Sequence, residues 1–229
     1  MGALRKIMIA VVILGALAGI QQAGTFASFN ATTTNASSTF QTGALALSNL
    51  KQGGSTCFSY GASANGFSNG NTNACDALYS FAANQIPSNT VSSVQLTLTA
   101  PAANTLTVTN LKLYGATLCA SANDGGTIHG NGNLCSSVKM TVQEYTTSGF
   151  TTATTTCAFP FNASGACPAA TSGGLLNTLS ATPQALAGGL NSTGRFFKVN
   201  LVFPDSGVAG SENATMGLTS NFALGWSID

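Results

Sequence analysis

Few side chains in this sequence could run acid–base or nucleophilic chemistry: one histidine, His129, and six acidic residues. His129 lies in the stretch Asp124-Gly-Gly-Thr-Ile-His-Gly-Asn-Gly-Asn133. A metal centre generally takes three or four protein ligands. Asp124, Asn131 and Asn133 put oxygens near the imidazole, enough for a weak calcium contact but without the acidic density or spacing of an EF-hand loop. A solvated loop histidine is the expectation. Gly66-Phe-Ser68-Asn-Gly70 fits the G-x-S-x-G pattern, whose mechanics need a buried strand before the serine and a helix after it. Here it falls in a Gly/Asn/Ser stretch between two cysteines, where chance accounts for it. Glycoside hydrolysis needs two facing carboxylates. Glu144 is expected on the outward-looking tail of a strand, and Asp205 and Glu212 flank a turn. No HExxH, phosphate loop or dinucleotide fingerprint occurs. The expectation is a non-enzyme with no catalytic residue, cofactor or metal ligand.

The composition points the same way. Charged residues make up 6% of the chain, against roughly 25% in ordinary soluble domains. Enzymes work through perturbed acids and bases, and there is little here to perturb. Lys51, Lys112, Lys139, Lys198 and Arg195 are scattered, so no basic stripe exists to neutralise phosphates, and nucleic acid is not an expected partner. A surface of Thr, Ser, Asn and Gln with net charge near zero repels its neighbours weakly and favours association.

Arg5 and Lys6 precede an apolar run from Ile7 to Ile20, shorter than the about 20 residues a membrane span needs. A small-residue exit at Thr25-Phe26-Ala27 completes the layout of a secretory signal peptide. Residues 1–27 are therefore expected as a leader cut between Ala27 and Ser28, and the membrane is met only through that uncleaved leader. Residues 28–38 follow as an N-terminal ribbon, and 39–229 as one domain. All six cysteines follow the leader, and an even count in an exported chain reads as disulfides. Many pairings are open. The cheapest one closes three local loops: Cys57 with Cys75, Cys119 with Cys135 and Cys157 with Cys167. The cysteines sit in three separate places with no Cys-x-x-Cys pair, so zinc is disfavoured. Five Asn-x-Ser/Thr sequons, at Asn30, Asn35, Asn162, Asn191 and Asn213, permit glycosylation without indicating it.

The elements that must hold these residues read as strands. Val94, Leu96 and Leu98 alternate with polar residues at period two, as do Val138, Met140 and Val142. Phe197, Val199, Leu201 and Phe203 form another alternation, stopped by Pro204. The longest runs from Met216 through Leu218, Ser220, Phe222, Leu224 and Trp226 to Ile228 and is expected to lie centrally. The apolar parity flips between Val108 and Leu111, predicting a bulge near Asn110. One short helix is conceivable around Leu175 to Leu190. Lys51 to Ala77, Ala120 to Leu134 and Thr146 to Gly174 read as loops, each holding one disulfide. Many short strands with Gly/Pro/Asn turns predict an all-β fold, a single antiparallel β-sandwich of jelly-roll type. Phe58, Tyr60, Phe67, Phe150, Phe159 and Phe161 in the long loops could stack on sugars, or pack beneath the loops as a satellite core.

Both ends of the chain carry a resemblance. Gly24-Thr-Phe-Ala-Ser-Phe-Asn30, then Phe40-Gln-Thr-Gly-Ala-Leu45-Ala-Leu47 and Asn49-Leu-Lys-Gln-Gly53, resemble the opening of the camelysin/TasA family of exported bacterial matrix proteins. Gln52 stands where that family has proline. The strand Phe197 to Phe203, the Glu212-Asn213 turn and the last strand resemble the family's ending. The cysteine-bearing middle does not, so the likeness covers about a third of the chain, as in a divergent, disulfide-containing branch. It implies a jelly-roll fold and processing by a dedicated SipW-like signal peptidase. It also implies secretion to the biofilm matrix or cell surface as a fibre subunit whose partners are its own copies and an anchoring matrix protein. Some members carry a metallopeptidase label, for which a single histidine supplies no ligand set. The ribbon Ser28 to Ser38 is Thr-rich and β-compatible, yet apart from Phe29 it has almost nothing to bury. Such a tail suits addition to a neighbour's sheet edge, with Phe29, Ala31, Thr33 and Asn35 as the donor residues. Heterologous contacts of that kind propagate into a filament. The alternatives are a monomeric adhesion or carbohydrate-binding module and a secreted peptidase.

Overall fold

Alternating apolar residues with β-branched or hydroxyl neighbours favour a pleated surface buried on one side, and strands dominate the computed structural model. It describes residues 46–63, 66–69, 75–79, 87–101, 107–127, 129–162 and 165–229. The leader, the cut at Ala27–Ser28 and the donor residues Phe29, Ala31, Thr33 and Asn35 lie outside the described residues. Among the described residues twelve strands follow in order: β1 Ser48–Lys51, β2 Thr56–Phe58, β3 Tyr60–Ser63, β4 Gly66–Asn69, β5 Val91–Thr99 and β6 Leu111–Asn123. Next come β7 Lys139–Tyr145, β8 Ala153–Phe159, β9 Gly174–Leu175, β10 Gln184–Leu186, β11 Arg195–Val202 and β12 Leu218–Ile228. The pairings are antiparallel.

The larger sheet runs β2-β1-β5-β11-β7-β8 with β9 added to β7, the smaller runs β10-β6-β12, and β3-β4 is a separate ribbon. Their apolar faces meet in one core. Leu96, Leu98, Met140, Val142, Phe197 and Val199 from the larger sheet are buried against Leu111 and Leu113 from the smaller. The Phe197 and Trp226 rings sit 4.7 Å apart across the gap. Two packed antiparallel layers give the expected all-β sandwich. Among the described residues one layer has seven strands and the other three.

Several expectations change. The Leu175–Leu190 region is not a helix: it holds β9, a 3-10 turn at Leu176–Thr178 and β10. Pro183 denies a helix its hydrogen bond, and Gly189 lies so close to the Val108 carbonyl that a Cβ would sit 1.9 Å from it. The parity flip at Asn110 is a new start and not a bulge. Val108 forms an isolated bridge to Leu190, Asn110 exchanges backbone hydrogen bonds with Asp229, and β6 then begins. The real irregularity lies further along β6, where the five steps from Gly115 to Ala120 pair with only three in β12, from Leu224 to Asn221. The chain's final alternation is not central either, because β12 pairs only with β6 among the described residues. Alternation reports that one face is buried. It carries no information on neighbours in the sheet plane.

Two of the expected loops contain strands. Residues 51–77 hold β2 and the β3-β4 ribbon, while 146–174 hold β8 and the start of β9. The Thr-rich stretch Ala153–Phe159 has β propensity but little apolar alternation, so periodicity alone misses it. β6 also runs on to Asn123, into the third loop. Gly53 closes the β1–β2 turn with φ of +75°, a conformation that glycine adopts without steric cost.

Candidate functional site

Disulfides organise the three long connections. Cys57 bonds Cys75, Cys119 bonds Cys135 and Cys157 bonds Cys167, closing separations of 18, 16 and 10 residues. In the chain-entropy model a loop of about fifteen residues gains roughly 3 kcal/mol from such closure. Disulfides persist in oxidising compartments, so the folded chain belongs in one. No helix among the described residues is long and apolar enough to cross a membrane.

Gln143 anchors the tightest loop. It projects from the outer face of β7 yet is buried, because the 157–167 loop folds over it. Its Nε2 donates to the carbonyls of Glu144, Thr154 and Thr156 at 2.9, 3.0 and 2.9 Å. Its Oε1 accepts the Cys167 amide at 2.6 Å. Register shifts where β8 pairs β7 are what turn those carbonyls toward it. A buried amide with these groups answered is a staple. Nothing in the sequence pattern marked it.

The carboxylate expected to look outward does the opposite. Glu144 shares parity with Met140 and Val142 and is buried. Arg195 answers it with both prongs, Nε to Oε1 at 2.6 Å and Nη2 to Oε2 at 2.8 Å. The remaining Nη1 donates to the Gly188 carbonyl at 3.0 Å. Glu144 is thereby fully engaged in a structural ion pair.

The other chemical candidates are not brought together. Ser68 lies inside β4, opposite Gly61 of β3, and not at a strand-to-helix turn. His129 Nε2 is 3.3 Å from Asn123 Nδ2. Asp124 Oδ1 accepts the Gly126 amide and Asn133 Oδ1 the Cys135 amide, so both oxygens serve their own loop. Gly130 and Gly132 of that loop donate to the backbone carbonyls of Met216 and Ala214. Among the described residues no three His, Cys, Asp or Glu side chains cluster as a metal site would require. The aromatic residues of the loops divide. Phe159 is core. Phe150 packs on Tyr145 and Phe196, at 5.7 and 6.1 Å between centroids. Phe161 stays exposed. Tyr79, which sequence reasoning passed over, donates its hydroxyl to the Val199 carbonyl at 2.7 Å, and burial pushes its phenol well above the ordinary range.

Asp205 and Glu212 flank a turn as expected, and the turn is held by Glu212. Its Oε1 accepts the Ser206 amide at 2.9 Å. Side-chain and backbone hydrogen bonds from Ser206, then the Ser211 hydroxyl, lower its pKa from 4.5 to about 2. A depressed folded pKa gives stabilisation that is complete above 4.5 and is lost as pH falls through about 2. We therefore predict that the Ser206 amide resonance titrates with a midpoint near pH 2 and that Glu212→Gln abolishes the titration. A midpoint near 4.5 would mean that the turn does not hold the carboxylate.

What remains is the rim of the sandwich. Edge strands invite pairing with another chain unless they are short, bulged or covered. β2 and β10 have three residues each, and β8 is broken by register shifts where it pairs β7. β12 is different: eleven residues long, it is joined to β6 alone among the described residues. Phe222, Leu224, Trp226 and Ile228 of β12 pack against the core from its inner face. No family model matches this chain, and no curated protein matches it.

Proposed function

We propose that this chain is an exported structural subunit, assembling head to tail into a fibre of the extracellular matrix or cell surface. In this reading the ribbon Ser28–Ser38 of one copy adds to the β12 edge of the next. One observation carries it: a seven-stranded sheet packs on a three-stranded one, with the long β12 at the margin of the smaller layer among the described residues. Strands lie about 4.8 Å apart, so a further strand beside β12 would extend that layer over the β5–β1 side of the larger sheet. Main-chain hydrogen bonds would supply affinity and alternate side chains specificity. The low charge of the chain favours close approach of copies, and the disulfides suit an oxidising exterior. The resemblance of both chain ends to camelysin/TasA matrix proteins supports the same reading, including leader removal by a SipW-like peptidase and an anchoring matrix protein.

The test compares two purified chains, residues 28–229 and the same chain lacking Ser28 to Asn35. Negative-stain micrographs should show filaments for the first and single particles for the second. A synthetic Ser28–Ser38 peptide in excess should shorten the filaments by capping the acceptor edge. Filaments of unchanged length from the shortened chain would remove strand donation.

A further inference from the structure

The flank of the smaller sheet opposite β12 holds a cleft that the fibre reading does not use. About 210 Å³ in volume, it lies where β8 and β10 come together, over the β6 residue Leu113. Ala158, Phe159, Leu113 and Leu179 form an apolar floor, each buried. Pro160 and Phe161 make one wall, and Thr178, Ser180 and Gln184 the other. Among the described residues no ionisable side chain lines it.

A single exposed phenylalanine is ordinary on a protein surface. Phe161 is 46% exposed, but its surroundings are built. The turn that carries it is closed by paired backbone bonds between Cys157 and Asn162, at 3.1 and 2.9 Å. The Cys157–Cys167 disulfide and the Gln143 staple fix that turn from behind. Facing it, Gln184 spends its Nε2 on the Thr182 carbonyl at 3.2 Å, while its Oε1 accepts no hydrogen bond from the described residues. Ser180 Oγ accepts the Thr182 amide at 3.0 Å, which leaves its O–H free to donate. Small-molecule sites take this form: concave, mostly apolar, with a few placed polar groups that fix orientation.

We infer that this cleft binds a neutral pyranose unit of a glycan. A cavity of about 150 Å³ accommodates benzene, so a six-membered ring fits here. The absence of a lining charge selects a neutral ligand. A purely apolar ring would strip water from Gln184 Oε1 and the Ser180 hydroxyl and return no hydrogen bond. A pyranose satisfies both walls, with a C–H face for Phe161 and hydroxyls for Gln184 and Ser180. In a matrix subunit such a site would tether the protein to polysaccharide, yet the inference stands on the cleft alone.

Isothermal titration of the 28–229 chain with cellohexaose and with chitohexaose tests it, benzyl alcohol serving as the apolar ring control. Both Phe161→Ala and Gln184→Ala change surface side chains, and circular dichroism confirms that each variant folds. Saccharide binding that weakens at least tenfold in both variants is the expected result. Absence of saccharide binding, saccharide binding indifferent to either substitution, or binding of benzyl alcohol alone would overturn the inference. None of these outcomes depends on filament formation, so failure here and failure of the fibre reading are distinguishable.

Discussion

Arg195→Met should destabilise the domain by about 3 kcal/mol or more, the usual cost of leaving one partner of a buried ion pair uncompensated. Only 11% of each side chain in the Arg195–Glu144 pair is exposed, so solvent screens little of the loss. The substitution also withdraws the Gly188 carbonyl's partner and the guanidinium lying 5.6 Å from the Phe197 ring centre. Against a total stability of roughly 5–15 kcal/mol for a domain of ordinary size, that is a large fraction.

The matching double variant makes the cause legible. Replacing both members of a buried pair by apolar residues of similar volume is often neutral or stabilising. Arg195→Met with Glu144→Leu should therefore recover most of the loss of Arg195→Met alone. Urea denaturation with disulfides intact measures the wild type, Arg195→Met, Glu144→Leu and the double variant, and the coupling follows from the cycle. If the double variant proves as unstable as the sum of its parts, the pair is not acting as a pair.

How far this fold is readable from its residues varies along the chain, and the reason is physical. The alternations at Val94–Leu98, Val138–Val142 and Phe197–Leu201 announce β5, β7 and β11, because each buries one face of its pleat and the other face stays polar. The neighbouring-cysteine pairing was legible from loop closure. β8 was not, since its threonines supply β propensity without apolar contrast. Glu144 was misread for a related reason. Charge suggested solvent, but its parity with Val142 pointed inward, and its partner Arg195 lies 51 positions away. Gln143 shows the limit of periodicity: its face is covered by a loop that returns from Cys167, a tertiary event with no local signature. The β12 edge depends on strand order, and the Phe161 cleft on two strand edges of opposite layers meeting. Neither could be seen before the sheets were assembled.

Phe197→Ala should cost about 3–5 kcal/mol, the range for deleting a buried aromatic side chain. Phe197 is fully buried, near the middle of the larger sheet, and its ring meets Trp226 across the gap. Two losses combine there: the transfer and cavity terms, and an aromatic pair worth about 0.5–1.5 kcal/mol beyond area. Phe197→Leu separates them, since it keeps most of the apolar volume and removes only the ring; swaps that conserve volume usually cost under about 1.5 kcal/mol. Trp226 is the only tryptophan, so its fluorescence during denaturation reports this seam directly. The seam also bears on assembly. Trp226 holds β12 against the larger sheet, and an acceptor edge must keep its register to pair with an incoming ribbon. We accordingly expect Phe197→Ala to shorten or abolish filaments at temperatures where the domain itself remains folded by circular dichroism. A variant within about 1 kcal/mol of wild type would mean that the two layers close over the missing ring. In that case the smaller sheet would be held by Leu111 and Leu113 instead of by the aromatic pair.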